Sequence, residues 1–406
     1  MMRTPPPPKK KAGPMTPAPS LDEITQRILW TSSNMHLLGA VADEFDTTRP
    51  FNGLRIGVSI HLEVKTAVLL LALQRGGAEV VAVGNYGTTQ DDVVAYLIER
   101  GVDARGSHTD TLGTHLGHVR SVAEANPDLL LDNGADLAAS VVEQGVAVLG
   151  GTEETTSGHN RLSGELAASV DFPMIVINAS PLKAIAENKH AVGQSIYESF
   201  LRHTNLMPQG KRTLVVGYGW CGRGIAQYFR ANGSAVMVSE PDEIKALEAA
   251  LDGFRVGHLV DLIPHADVVI TATGVDHVVG EPDLAAAPDG VLLGNAGHFD
   301  REIDVPALDA ATAERIPLGE ALERHILRDG RTIDLISRGR MLNLAGSQPK
   351  GNSIESMDLG FAMQARSLER VADRHDDLPP GAQPVPDDIN RSLARAFVAG
   401  MPLNSD

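Results

Sequence analysis

Residues 213–240, TLVVGYGWCGRGIAQYFRANGSAVMVSE, decide the fold. Leu214 to Val216 read as a short buried strand. Gly217, Gly219 and Gly222 then form G-x-G-x-x-G, a helix follows from about Gly224, and a second strand over 235–238 delivers Glu240. The first glycine allows a tight turn and the second lets the backbone approach a pyrophosphate. The third lets helix and strand pack closely, which aims helix amides at the phosphates. Glu240, about 23 residues beyond Gly217, stands where a carboxylate accepts hydrogen bonds from a ribose 2′-OH and repels a 2′-phosphate. The expected cofactor is NAD rather than NADP. Cys221, inside the loop, reads as a small buried residue.

The 406-residue chain has room for two domains, and 43% hydrophobic with only 4% aromatic residues implies cores of Val, Leu, Ile and Ala. A net charge of −17 argues against general nucleic-acid binding and against an anionic membrane surface. The single cysteine excludes an internal disulfide and a cysteine-rich zinc site. No apolar run approaches the ~18 residues a membrane span needs, and the Pro- and Lys-rich start lacks a signal-peptide core, so the expected location is cytoplasmic.

Strands and helices alternate from Leu54. Strands are expected over 54–59, 79–83, 129–131 and 147–149, with helices over 64–75 and 91–99. Ligands of open parallel sheets bind beyond the carboxyl ends of strands. Those ends carry His61, Asn85, Asp132, Asn133 and the polar run Glu153, Glu154, Thr155, Thr156 and Ser157. In 174–189 a strand runs into a turn at Pro181, and Lys183 and Glu187 share a helix face, which by spacing alone also fits an exposed ion pair. Farther on, a strand over 267–270 ends in TATG, with Thr273, and one over 291–293 leads to Asn295, Gly297 and His298. His108, His115 and His118 read as a solvated loop rather than a metal site. The expected fold is α/β with two Rossmann-like domains and parallel sheets. A disordered arm (1–20) precedes a substrate domain (21–189) and an NAD-binding domain (190–342). A return segment (343–378) completes the substrate domain, and a short arm (379–406) follows.

Five segments carry a family resemblance: GTEETTSGHNRL at 151–162, NASPLKAIAENK at 178–189, VVGYGWCGRG at 215–224, NAGHFDREID at 295–304 and GRMLNL at 339–344. Across about residues 50–365 the chain resembles S-adenosyl-L-homocysteine hydrolase. The resemblance implies tightly held NAD used as a recycled oxidant. The 3′-OH of an adenine nucleoside is oxidised, C4′ loses its now acidic proton, the 5′ substituent leaves, and the ketone is reduced again. It further implies that Lys183 and Glu187 handle the 3′-OH, the family's acid being an aspartate, and that Glu154 binds ribose hydroxyls. His61 falls near the 5′ position, Asn188 beside the nicotinamide, and Thr155, Thr156 and Ser157 against the cofactor. The remaining cofactor contacts fall to Gly217, Gly219, Trp220, Cys221, Gly222, Glu240, Thr273, Asn295, Gly297, His298 and Asn343, with Asn343 also facing the sugar. Family members are homo-oligomers, so a dimer or tetramer is expected.

Departures gather on the nucleoside and leaving-group side. Asn133 stands where the family has an aspartate, and an amide is no general acid or base. Glu63 and Lys65, in HLEVKTA, replace a threonine and an acid that contact the nucleoside. Gly84 replaces a cysteine next to Asn85. Asn352, in the longer loop GSQPKGN at 346–352, falls where a histidine gates the substrate channel, and the family's basic C-terminal extension has no counterpart up to Asp406. The favoured expectation is a dehydratase that expels water and makes a 4′,5′-unsaturated nucleoside, as in angustmycin-type antibiotic biosynthesis. The alternatives are S-adenosyl-L-homocysteine hydrolase proper and a catalytically silent NAD-binding regulator.

Overall fold

Short apolar strands, too hydrophobic to face water on either side, need helices over both faces. In the computed structural model, which describes residues 21–297, 300–344, 346 and 349–401, they form two sheets. The expected arm over 1–20 and His298 lie outside the described residues. Among those described, no helix is long and apolar enough to cross a membrane.

The first sheet has seven strands in the spatial order Gly381–Pro384, Pro173–Val176, Gly150–Glu153, Leu129–Asp132, Arg55–Ile60, Glu79–Gly84 and Asp103–Arg105. Its pairings are parallel. Chain order reverses between Arg55–Ile60 and Leu129–Asp132, which opens a crevice at their carboxyl ends. His61 follows one of these strands and Asn133 the other. The long helix Ile354–Arg374 returns to this sheet, where the Asp358 carboxylate accepts from Leu37 N at 2.9 Å and Leu38 N at 2.7 Å. That contact caps the helix His36–Thr48, which has no side-chain cap from its own N-cap residue.

The second sheet has eight strands in the order Thr312–Pro317, Leu322–Leu327, Thr332–Ile336, Val291–Asn295, Val268–Thr271, Arg212–Val216, Ala235–Ser239 and Arg255–Val256. It reverses between Arg212–Val216 and Val268–Thr271, so Gly217 and Thr273 flank a second crevice. This sheet is mixed rather than parallel, because its first three strands form antiparallel hairpins. Gly330, at φ +90°, turns the chain between the second and third of them.

Three local expectations shift. The dinucleotide helix spans Trp220–Ala231 and begins at the glycine loop itself, since Gly219 is its N-cap. The strand expected over 147–149 lies at Gly150–Glu153. His115 and His118 belong to the helix Leu112–Glu124, not to a loop, and His115 is buried with Nδ1 3.1 Å from Gly84 O.

Gly217 has φ +97°, and a Cβ there would lie 2.8 Å from Ala272 O. A Cβ on Gly224 would collide with Lys189 O, and one on Gly193 would lie 2.6 Å from the Gly224 carbonyl carbon. The dinucleotide helix therefore rests directly on the segment that carries Glu187 and Asn188. Gly224→Ala is expected to cost about 1–3 kcal/mol and to loosen cofactor retention. Thermal unfolding and the NAD content of purified protein would check this, and wild-type values for both would refute so tight a crossing.

Candidate active site

Ser180 caps a single α turn through its Oγ, 3.1 Å from Leu182 N, with Pro181 at the first helical position. The chain then widens into a π-helix over Ala184–Ala191, a form that gathers at functional sites. Lys183 Nζ lies 2.8 Å from Glu187 Oε2 and 3.1 Å from Glu154 Oε1. All three residues are buried, so this is not the exposed ion pair that spacing alone allows. Burial would discharge the lysine, but the Coulombic pull of two carboxylates outweighs it and holds the ammonium above the ordinary lysine range. Burial likewise pushes Glu154 up, yet Lys183 and the Asn133 amide bring it below the usual glutamate value. Glu187 stays above that value, chiefly through burial and with the repulsion of Glu154, against the pull of Lys183. Among the described residues its buried Oε1 has no hydrogen-bond partner; it lies against Gly360, where a Cβ would collide with it. An ammonium and an uncommitted carboxylate oxygen thus stand side by side, as a secondary hydroxyl requires.

At the first crevice Asn133 Nδ2 donates to Glu154 Oε2 at 2.9 Å, and its Oδ1 accepts from Asn85 Nδ2 at 2.9 Å. His61 Nδ1 lies 2.6 Å from Thr88 Oγ1, which is 3.2 Å from Asn85 O. His61, Asn85, Thr88 and Asn133 line a cleft of about 640 Å³, with Tyr86 and Arg340 farther along its walls. Asn343 Nδ2 donates to Ser195 Oγ at 3.0 Å, and its buried Oδ1 has no partner among the described residues. Ser195 Oγ is also 3.3 Å from Asn352 Oδ1. Glu63 and Lys65 form a separate buried pair.

At the second crevice the N-terminus of the dinucleotide helix has no side-chain cap, so its amides remain available to phosphate. Glu240 accepts from Tyr218 N at 2.6 Å and Asp242 N at 2.9 Å, which fixes the carboxylate beside the glycine turn. Thr273 donates through N and Oγ1 to Glu302 at 2.9 and 2.8 Å. Asn295 Oδ1 accepts from Gly297 N at 2.7 Å, and Nδ2 donates to Gly339 O at 2.8 Å, which pins the loop leading toward His298. Asn188 Nδ2 donates to Asn178 Oδ1 at 3.0 Å, and Asn178 Nδ2 donates to Thr156 Oγ1 at 2.8 Å. Thr155 caps the helix Thr156–Ser163 and lies 3.0 Å from Ser157 Oγ. Trp220 is exposed. Cys221 is part-buried rather than buried, and desolvation pushes its thiol up to about 11. The tight glycine turn, the open helix terminus and the held carboxylate fit a dinucleotide.

Residues 24–149 match S-adenosyl-L-homocysteine hydrolase, and residues 188–349 match the NAD binding domain of that enzyme. The chain belongs to the S-adenosyl-L-homocysteine hydrolase family. NAD is its cofactor. It is 40% identical over 381 residues to the S-inosyl-L-homocysteine hydrolase of Methanopyrus kandleri, covering 92% of this chain and 89% of that protein. The enzyme of the same name from Methanothermobacter thermautotrophicus is 38% identical over 387 residues, with 94% and 92% covered. The adenosylhomocysteinase of Thermococcus kodakarensis is 37% identical over 382 residues, with 93% and 90% covered.

Two carboxyls of this family member escape sequence reading as positioning groups. Glu302 collects Thr273 and also accepts from Gly274 N at 2.7 Å. Glu153, otherwise one of a polar run, accepts from Gly134 N and Ala135 N at 3.0 Å each, and from Thr155 N and Oγ1 at 2.7 Å each. It thereby ties the loop after Asn133 to the loop after Glu154. The only signal in sequence is an acid ending a buried strand. Burial pushes Asp132 up to about 7 and, with the charge of Asp132, Glu153 up to about 8. Values raised in the folded state mean the stabilising contribution is complete below the unfolded carboxyl range and is lost as pH rises through those folded values. The unfolding temperature is therefore expected to fall between about pH 4 and pH 8, and Glu153→Gln to flatten that fall while lowering stability throughout. Thermal unfolding across pH checks this, and a slope unchanged in the variant would contradict it.

Proposed function

We propose that this enzyme oxidises the 3′-OH of a nucleoside, removes the C4′ proton, expels the 5′ substituent as water and restores the hydroxyl, yielding a 4′,5′-unsaturated nucleoside. Bound NAD supplies the acceptor for the 3′ hydride and its donor at the end. Glu187, raised by burial and with an Oε1 that has no partner among the described residues, takes the hydroxyl proton, while the Lys183 ammonium stabilises the oxygen it leaves. The Asn133 amide, engaged at both ends, carries the choice of leaving group. It cannot move a proton, and we assign that role to His61, which lines the same cleft. His61 takes the C4′ proton and passes it to the departing 5′ oxygen. The C4′–H and C5′–O bonds break, the C4′=C5′ bond forms, water leaves and His61 is restored.

A second reading, hydrolysis of an S-nucleosyl-L-homocysteine, is favoured by the size of the cleft beside His61 and by the names of the relatives. Purified protein would be incubated with S-adenosyl- and S-inosyl-L-homocysteine, adenosine, inosine and psicofuranosyl purines. Products would be followed by mass spectrometry and cofactor reduction by absorbance. The expected product is a nucleoside lighter by one water. Efficient thioether hydrolysis without dehydration would replace the first reading with the second, and no cofactor reduction by any nucleoside would mark a silent NAD-binding protein. Lys183→Ala is expected to slow cofactor reduction by roughly a hundredfold or more.

A further inference from the structure

The amino ends of the second sheet gather cations that neither crevice uses. Arg212 opens the strand Arg212–Val216, Arg255 opens the edge strand Arg255–Val256, and His265 closes the short turn before Val268–Thr271. These strands and Ala235–Ser239 between them are parallel, so their starts meet at one end and the glycine loop and Glu240 lie at the other. The dinucleotide helix runs back to the same end and delivers Arg230 in its last turn. Arg212, Arg230, Arg255 and His265 there line a hollow of about 580 Å³, together with Phe254. None of its lining residues is acidic.

Two of the guanidinium groups are held in place. Arg212 donates through Nη2 to Asp267 Oδ1 at 2.7 Å and through Nε to Oδ2 at 3.2 Å. Arg230 lies over the Phe254 ring, with Cζ 4.2 Å from its centroid, and donates to Asp252 O. The Asp252 carboxylate is itself engaged by Tyr218 OH at 2.6 Å. Among the described residues, the side chains of Arg255 and His265 have neither a hydrogen bond nor an ion pair. Three guanidinium charges against the single carboxylate of Asp267 leave a positive surplus in a protein whose net charge is −17. Taken one at a time, the cations have local reasons: Arg230 complements the end of its helix dipole, and Arg255 blunts a sheet edge. Neither reason brings side chains from four separate segments to face one hollow, where they repel each other unless an anion joins them.

We propose that this hollow binds the phosphate chain of a polyphosphate, at a site separate from the cofactor's. Guanidinium forks match pairs of phosphate oxygens, and the volume falls in the range of small-molecule sites, about 300–1,000 Å³. Two adjoining phosphates would engage the free Arg255 and His265 together with the open edge of Arg230. The five residues of Arg212–Val216 set the hollow about 17 Å from the glycine loop, so both sites fill at once.

Calorimetric titration of the NAD-loaded protein with orthophosphate, pyrophosphate and tripolyphosphate at constant ionic strength tests this. Pyrophosphate is expected to bind with Kd of about 1 mM or tighter, and roughly tenfold tighter than orthophosphate, without displacing NAD. Arg255→Gln is expected to weaken it roughly tenfold and to leave cofactor reduction by nucleosides unchanged, and His265→Gln, on a separate segment, to weaken it about threefold. ADP binding that is tighter than pyrophosphate and falls in Arg255→Gln would assign the chain to a nucleotide, and weaker binding to free polyphosphate. No pyrophosphate binding, equal affinity for orthophosphate, or an affinity unchanged in both variants would overturn the proposal.

Discussion

The buried ammonium of Lys183, held between Glu154 and Glu187, is the constraint on which the rest of the structure depends. A buried ion cluster adds little net stability, but removing one partner leaves a charge unpaired at a cost of about 3–5 kcal/mol. Its geometry therefore has to be enforced from outside. Glu154 arrives from the end of a parallel strand and Glu187 from a π turn that a glycine of the returning helix presses into place. Two carboxylates against one ammonium leave a surplus of negative charge in a dry site. Among the described residues, Oε1 of Glu187 has no hydrogen-bond partner to share that surplus.

Two reversals of strand order deliver the chemistry to one place. The first crevice carries His61 and Asn133, and the second carries the glycine loop and Thr273. What brings them together is a crossing of helices with almost no side chain between them, Gly224 against Lys189 O and Gly193 against Gly224. Since Lys189 lies just past Glu187 and Asn188, the turn that cradles a dinucleotide and the turn that holds the acid are fixed to each other as backbone to backbone.

The glycine loop is legible because backbone approach within a few residues demands each glycine, and that demand is local. The strand at Gly150–Glu153 is not, because the apolar run before it has the stronger propensity. Gly150 and Gly151 look like a turn until one sees that a Cβ on Gly151 would collide with the neighbouring strand at Leu130 O. The hairpins over 312–336 hide in charged sequence such as TAERIP and LERHIL, whose strand character comes from pairing rather than from hydrophobic pattern. The i,i+4 spacing of Lys183 and Glu187 is plain, but the Glu187 carboxylate lies against Gly360, remote in the chain. The same holds for Glu153, whose donors come from two loops that only the sheet brings together.

Asn133 shows how one substitution changes chemistry and electrostatics together. An acid at this point would stand about 3 Å from Glu154 and set a third carboxylate into a site with one ammonium, so a proton would have to be shared among them. The amide removes that demand. It donates to Glu154, helps hold that carboxylate ionised against its burial, and so firms the grip on Lys183. What is given up is a group able to accept or release a proton beside the cleft. The same residue thus ties Asn85, through its oxygen, to the buried cluster of Glu154 and Lys183.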